Sequence, residues 1–203
     1  LSNSCTLFQG QKLIFCICRD ISERKAAERR IRFLATTDTL TGAANRSEFS
    51  RLLGEAIVGA QDSGKPLGLV MFDLDHFKRI NDAHGHDVGD AVLKGVIGVV
   101  REHIRAEDAV GRWGGEEFLV AMYGIAGPAA AQRLDSLLQD LVKSPLLPQL
   151  PRVTFSAGVC ELFSEASQLD EALQMADERL YAAKKAGRCR VIGSVVPNLE
   201  SRV

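Results

Sequence analysis

Arg112-Trp113-Gly114-Gly115-Glu116-Glu117-Phe118 places two glycines and two carboxylates in a single turn between apolar stretches. Asp108-Ala109-Val110 leads in and Phe118-Leu119-Val120-Ala121-Met122 leads out, so both flanks read as strands and the glycine pair as the tip of a β-hairpin. Glycines at such a tip let the backbone take positive φ and remove side chains that would block a ligand. Glu116 and Glu117 concentrate negative charge at an exposed turn, which is costly unless a cation or a ligand donor compensates. Taken alone, the segment also reads as an ordinary hairpin with solvated acids.

A second acidic site changes that balance. Residues 67–73, Leu-Gly-Leu-Val-Met-Phe-Asp, form a short continuous apolar run ending in an acid, as expected of a buried central strand. An acid at the end of that strand and an acid on a neighbouring hairpin can converge on one hard cation. Mg²⁺ takes one or two such carboxylates and fills its other positions with phosphate oxygens and water. The strand-to-helix turn after Asp73 offers backbone N–H groups suited to phosphate, and Lys78 adds a mobile positive charge.

Working outward, the periodicity predicts helices over about 22–36, 45–61, 76–82, 88–104, 127–142 and 168–186, and strands over 12–19, 67–73, 152–161 and 188–193 beside the 108–123 hairpin. Ser22 is the expected N-cap of the first helix, and Ala27, Ile31 and Leu34 give it a short apolar seam that serves either a coiled coil or a solvated linker. Pro145, Pro148 and Pro151 mark a loop, and 194–203 reads as a disordered tail. Strands alternate with helices yet include an antiparallel hairpin, so the sheet is expected to be mixed: an α+β fold. The 203 residues carry 46% apolar and 25% charged side chains with a net charge of −1, which leaves no basic field for nucleic acid. Phosphorylated ligands must be met by local cations. No apolar run approaches the roughly 20 residues of a membrane helix. No signal peptide is seen, and the start at Leu1 reads as part of something longer. The five cysteines form no paired spacing, so reduced thiols packed in strands are expected, in a cytoplasmic protein whose full length could be anchored through regions outside this stretch.

These segments resemble the GGDEF family, the diguanylate cyclases of bacterial second-messenger signalling, in the variant whose signature reads Gly-Gly-Glu-Glu-Phe. Further stretches match in order and spacing: Asp38-Thr39-Leu40-Thr41-Gly42 with Asn45-Arg46, the Asp73-to-Asp90 segment, Thr154-Phe155-Ser156-Ala157-Gly158-Val159, and Ala176-Asp177 through Leu180-Tyr181, Ala183-Lys184 and Gly187-Arg188. Ala43, Ala44 and Cys189 depart from the usual residues. The resemblance covers about 36–192 and implies a ferredoxin-like palm, with a mostly antiparallel five-stranded sheet flanked by helices. Arg19 to Lys25 resembles the end of a PAS sensor domain running into its exit helix. The organisation expected is therefore a PAS-like remnant at 1–21, a linker helix at 22–36, a GGDEF domain at 37–193 and the tail.

The family's reaction joins two GTP into cyclic di-GMP and releases two pyrophosphates. Carried over by motif, Asp73, Glu116 and the Leu74 carbonyl are metal ligands for Mg²⁺, with Mn²⁺ as an alternative. Glu116 and Glu117 are the catalytic acids; either of them, or a metal hydroxide, fits deprotonation of the attacking hydroxyl. Phe77, Lys78, Lys184 and Arg188 are expected at the phosphates; Lys184 and Arg188 also read as solvated helix-end charges. Asn81 and Asp90 are the expected guanine readers, with helix capping the alternative for each. Mixed cyclic GMP-AMP producers tend to carry a small hydroxyl residue at the Asp90 position, so Asp90 favours guanine. Arg105 and Asp108, with Arg133 on the next helix, match the family's inhibitory product site; a surface ion pair is the alternative. The resemblance also implies a homodimer and an upstream sensor as partners. A catalytically silent GGDEF receptor for GTP or cyclic di-GMP is the other function weighed.

Overall fold

The computed structural model describes residues 20–143, 146 and 152–193, and the backbone of 2–8 and 11–17. The chain divides into two compact units between Ala35 and Thr36. In the first, β1 (Ser2–Phe8) pairs antiparallel with β2 (Gln11–Ile17), so the predicted strand has a hairpin partner that the sequence reading left unassigned. The helix α1 (Ser22–Thr36) follows. Ser22 is its first residue rather than its cap: Ile21 O accepts the first helical bond, from Lys25 N, and the Asp20 carboxylate accepts from Ser22 N at 2.8 Å. Nothing on α1 is buried, and Ile31 and Leu34 are more than half exposed.

The second unit contains α2 (Arg46–Ser63), β3 (Leu67–Leu74), α3 (Phe77–His84), α4 (His86–His103), β4 (Ala109–Arg112), β5 (Glu117–Tyr123), α5 (Gly127–Lys143), β6 (Phe155–Leu162), α6 (Leu169–Lys185) and β7 (Arg190–Ile192). The five-stranded sheet runs β4-β5-β3-β6-β7, antiparallel except for the β6–β7 pair. This is the mixed α+β architecture expected. Every residue of β3 is buried, because helices cover both faces of the sheet; a strand buried on both sides reads as a continuous apolar run. Val70 and Phe72 pack with α4 and α5 on one face. Leu69 and Met71 pack with α2 and α6 on the other. Phe72 lies 5.2 Å from Phe118 and 5.1 Å from Phe155 (ring centroids), which ties the three central strands together.

Several element ends depart from expectation: β2 ends at Ile17 rather than 19, and α2 and α3 run two residues longer, to Ser63 and His84. α4 begins at His86, two residues early, because Gly85 makes the break with α3 at φ 84°. β6 begins only at Phe155. β7 is cut to three residues because Arg188 and Cys189 take φ 63° and 50°, which no extended strand admits. Of the cysteines described by side chain, Cys160 and Cys189 are both free, and burial pushes the Cys160 thiol up to about 11. The proline loop (apart from Leu146), the 194–203 tail and the Cys5, Cys16 and Cys18 side chains lie outside the described residues.

Candidate active site

Strand pairing assembles the acids. Asp73, next to last in β3, stands directly opposite Glu117, first in β5, and opposed residues share a face of the sheet. Glu116 is in the turn just before, where its carbonyl accepts from Leu74 N at 3.3 Å. Two chain segments more than forty residues apart thus bring Asp73, Leu74, Glu116 and Glu117 together. The Asp73 side chain shares its face with α6, and Lys184 from that helix reaches its carboxylate at 3.0 Å. Burial, aided by the negative charges of Glu116 and Glu117, raises the Asp73 carboxyl above its usual range despite Lys184. Three acids against one lysine is an excess of negative charge that a divalent cation would relieve. Among the described residues no three His, Cys, Asp or Glu side chains form a metal-holding group. A cation here would therefore draw on two carboxylates, a main-chain carbonyl and oxygens brought by a ligand, which is the way Mg²⁺ is usually held.

The glycine pair acts differently from the expectation. Neither Gly114 nor Gly115 has positive φ. A Cβ on Gly114 would sit 2.7 Å from a Glu117 carboxylate oxygen, so this glycine makes room for the acid, whereas a Cβ on Gly115 would meet open space. The turn is held from outside by Arg112, whose guanidinium donates to Gly115 O at 2.7 and 3.0 Å and pairs with Asp38 at 3.2 Å. Burial pushes the Asp38 carboxyl up, but hydrogen bonds from Thr41 and the Arg112 charge outweigh it and leave the group below its usual range. The sequence reading assigned this Asp38–Arg112–Gly115 strut no role. Both residues sat inside matched motifs, yet nothing in one sequence says that positions 74 apart will pair.

A cavity of about 500 Å³ opens beside the turn, lined among others by Phe77, Lys78, Asn81, Asp90, Arg112 and Glu116. Neither Asn81 nor Asp90 is a helix cap: Asn81 is mid-α3 and Asp90 lies inside α4. Asn81 Oδ1 is buried with no hydrogen-bond partner among the described residues. Gly89 makes its position tenable, since a Cβ there would fall 1.9 Å from that oxygen. A buried amide without a partner inside a cavity has the chemistry of a ligand contact. Asp177, Tyr181 and Lys184 line a smaller cavity of about 180 Å³ on one face of α6, as their spacing predicts. Arg188 is exposed, follows a left-handed turn closed by its N–H on Ala183 O, and lines neither cavity.

Two further acids go beyond the sequence reading, which gave Asp75 no role. Asp75 is buried and accepts from Thr154 Oγ1 (2.7 Å), Ser156 Oγ (2.7 Å) and Cys189 N (2.9 Å), tying the end of β3 to β6 and to the loop after α6. Asp108 is no surface ion pair: its side chain is fully buried, accepts from Arg105 N at 2.8 Å and pairs with Arg133 at 3.3 Å. Burial raises its carboxyl, and its other oxygen has no partner among the described residues. Arg105 keeps its guanidinium exposed, 4.0 Å from Glu107.

Fold and site define an α+β domain whose acidic hairpin turn borders a cavity of nucleotide size. Over residues 35–190 the chain matches the family described as diguanylate cyclase, GGDEF domain, and it belongs to that family. It is 34% identical over 185 residues to diguanylate cyclase DgcM of Escherichia coli K12, covering 91% of this chain and 45% of that protein. The coiled coil and GGDEF domain of DgcB from Caulobacter crescentus, in complex with c-di-GMP, superposes with a TM-score of 0.77 at 30% identity, covering 84% of this chain and 92% of that one. The active GGEEF domain of a diguanylate cyclase from Vibrio cholerae gives 0.68 at 29% identity, over 73% of this chain and 95% of that one. The chain spans less than half the length of the curated relatives it matches. No helix among the described residues is long and apolar enough to cross a membrane.

Proposed function

We propose that this domain condenses two GTP into cyclic di-GMP with release of two pyrophosphates, as one half of a homodimer. The observation that carries the reading is the juxtaposition of Asp73, Glu116 and Glu117, with Glu116 also lining the cavity that holds Lys78, Asn81 and Asp90. Asp73, Glu116 and the Leu74 carbonyl would hold a divalent cation, Mg²⁺ or Mn²⁺, which when bound supplies charge neutralisation at the attacking and leaving oxygens. The chain's own part is position and electrostatics. Asp90 accepts from the two adjacent donors of guanine, and Asn81 completes the edge. Lys78 and Lys184 meet the phosphates; Lys184 exchanges its hold on Asp73 for that role, and Arg188 joins them. Glu117, seated against Gly114, is placed to take the proton of the attacking hydroxyl, a role Glu116 shares the chemistry for. Arg105, Asp108 and Arg133 form the inhibitory product site, with the exposed Arg105 guanidinium as its outer grip. Residues 1–21 are the end of a PAS-like sensor, α1 its output helix, and the setting cytoplasmic.

The retained acids favour catalysis over a silent receptor. Incubation with GTP and Mg²⁺, followed by chromatography, tests the reading. Cyclic di-GMP and pyrophosphate in a 1:2 ratio are expected; GTP binding without turnover under Mg²⁺ and Mn²⁺ would sink it.

A further inference from the structure

α3 has two working faces. Phe77, Lys78 and Asn81 face the cavity beside the glycine turn, while Arg79, Ile80, Ala83 and His84, with His76 at the helix start, face a second groove of about 370 Å³. The 3.6-residue period puts these two sets back to back. The far wall of the second groove is Arg152 and Thr154, leading into β6. Ile80 is buried and gives the groove an apolar floor.

The charges in this groove are unbalanced. Arg79, Arg152, His76 and His84 make no ion pair and no side-chain hydrogen bond among the described residues. Among the described residues the single acid lining it, Asp75, is already engaged by Thr154, Ser156 and the Cys189 N–H. Two guanidinium groups across a concave surface, flanked by two imidazoles, are donors without an acceptor. Guanidinium forks match phosphate oxygens two at a time, and a pair of them spans more than one phosphate. Nothing in the reaction proposed above uses these residues.

We propose that the back of α3 is a second anion site, which takes a diphosphate group between Arg79 and Arg152. The source is inorganic pyrophosphate or the diphosphate tail of a nucleotide. A ligand there bears on the helix that presents Phe77, Lys78 and Asn81 to the main cavity, so occupancy is linked to that cavity through α3. Titration calorimetry of the whole chain in chelator, with inorganic pyrophosphate as the probe, tests the site. Lys184→Ala, which removes a phosphate contact of the main site, should still bind pyrophosphate. Adding Arg79→Gln and Arg152→Gln should weaken that binding at least tenfold with no change in melting temperature, since both side chains are exposed and make no ion pair among the described residues. Guanosine diphosphate as competitor on the Lys184→Ala protein separates the sources: displacement assigns a nucleotide tail, and no displacement assigns the inorganic anion. Pyrophosphate binding that is absent, that is lost with Lys184 alone, or that survives the double arginine change overturns the proposal.

Discussion

Glu116 sits in a turn outside the core, and its charge works against the neighbouring Asp73 carboxylate. Glu116→Ala should therefore cost activity and not stability. We expect turnover to fall by at least ~100-fold, the scale of removing one preorganised electrostatic group, with an unchanged or slightly raised melting temperature. Full turnover in Mg²⁺ would remove Glu116 from the metal site. Asp90 makes the complementary case for base choice. It lines the cavity from inside α4 without capping the helix, so its carboxylate is available to a base edge. Asp90→Ser should lower the GTP-over-ATP preference by roughly tenfold or more, the ~1–3 kcal/mol worth of a matched pair of hydrogen bonds. Competition assays with both nucleotides read this directly; unchanged selectivity would assign guanine recognition elsewhere.

At the scale of elements, two contacts set the geometry of the site. Gly158 in β6 lets α6 lie directly on the sheet: a Cβ there would meet Ala176 O at 2.0 Å and Leu180 N at 2.5 Å. Backbone cannot swing aside as a side-chain tip can. Gly158→Ala should thus destabilise by about 1–3 kcal/mol or more and displace Lys184 from Asp73, which urea melts and activity together would show. The second contact is the Asp38–Arg112–Gly115 strut. Because the folded Asp38 carboxyl lies below its usual range, the unfolded chain binds more protons in the window between the two values, and stability rises with pH there. The contribution is complete above the ordinary aspartate value, about 3.9, and is lost as pH falls through the lowered folded value. Asp38→Asn should flatten this acid limb in urea melts taken from pH 5 downward. It should also lower turnover while leaving the fold, since only the grip on the turn is released. An acid limb identical to that of the wild type would show that Asp38 contributes no net pairing energy.

The whole molecule raises the question of pairing. Each domain offers one Asp73–Glu116 pair and one Asn81–Asp90 cavity, while the proposed product joins two guanosine units symmetrically. Two domains facing each other in an isologous pair satisfy both facts. α1 carries Ala27, Ile31 and Leu34 with no buried residue among them, a stripe suited to a second copy. Deleting residues 1–36 leaves a unit with its own two-sided core. Its specific activity should climb steeply with protein concentration, as transient dimers limit the rate. A concentration-independent rate in a domain shown to be monomeric would refute the requirement for a dimer.

The linear sequence determined the elements of the second unit and named candidate residues for the site. The apolar run of 67–73 reads as a buried central strand and the 112–118 turn as a hairpin tip, and helix periods put Asp177, Tyr181 and Lys184 on one face. Local chemistry fixes such features, because dihedral preference and apolar period act over a few residues. Tertiary structure alone decided the register that sets Asp73 against Glu117, the strut from Asp38 to the turn, the three bonds that hold Asp75, and the burial of Asp108. The role of the glycines also changed. Gly114 serves Glu117 by absence of a Cβ rather than by positive φ, and Gly89 does the same for Asn81. Those outcomes depend on which surfaces meet across dozens of residues, where a one-residue shift in strand pairing would turn every side chain to the opposite face.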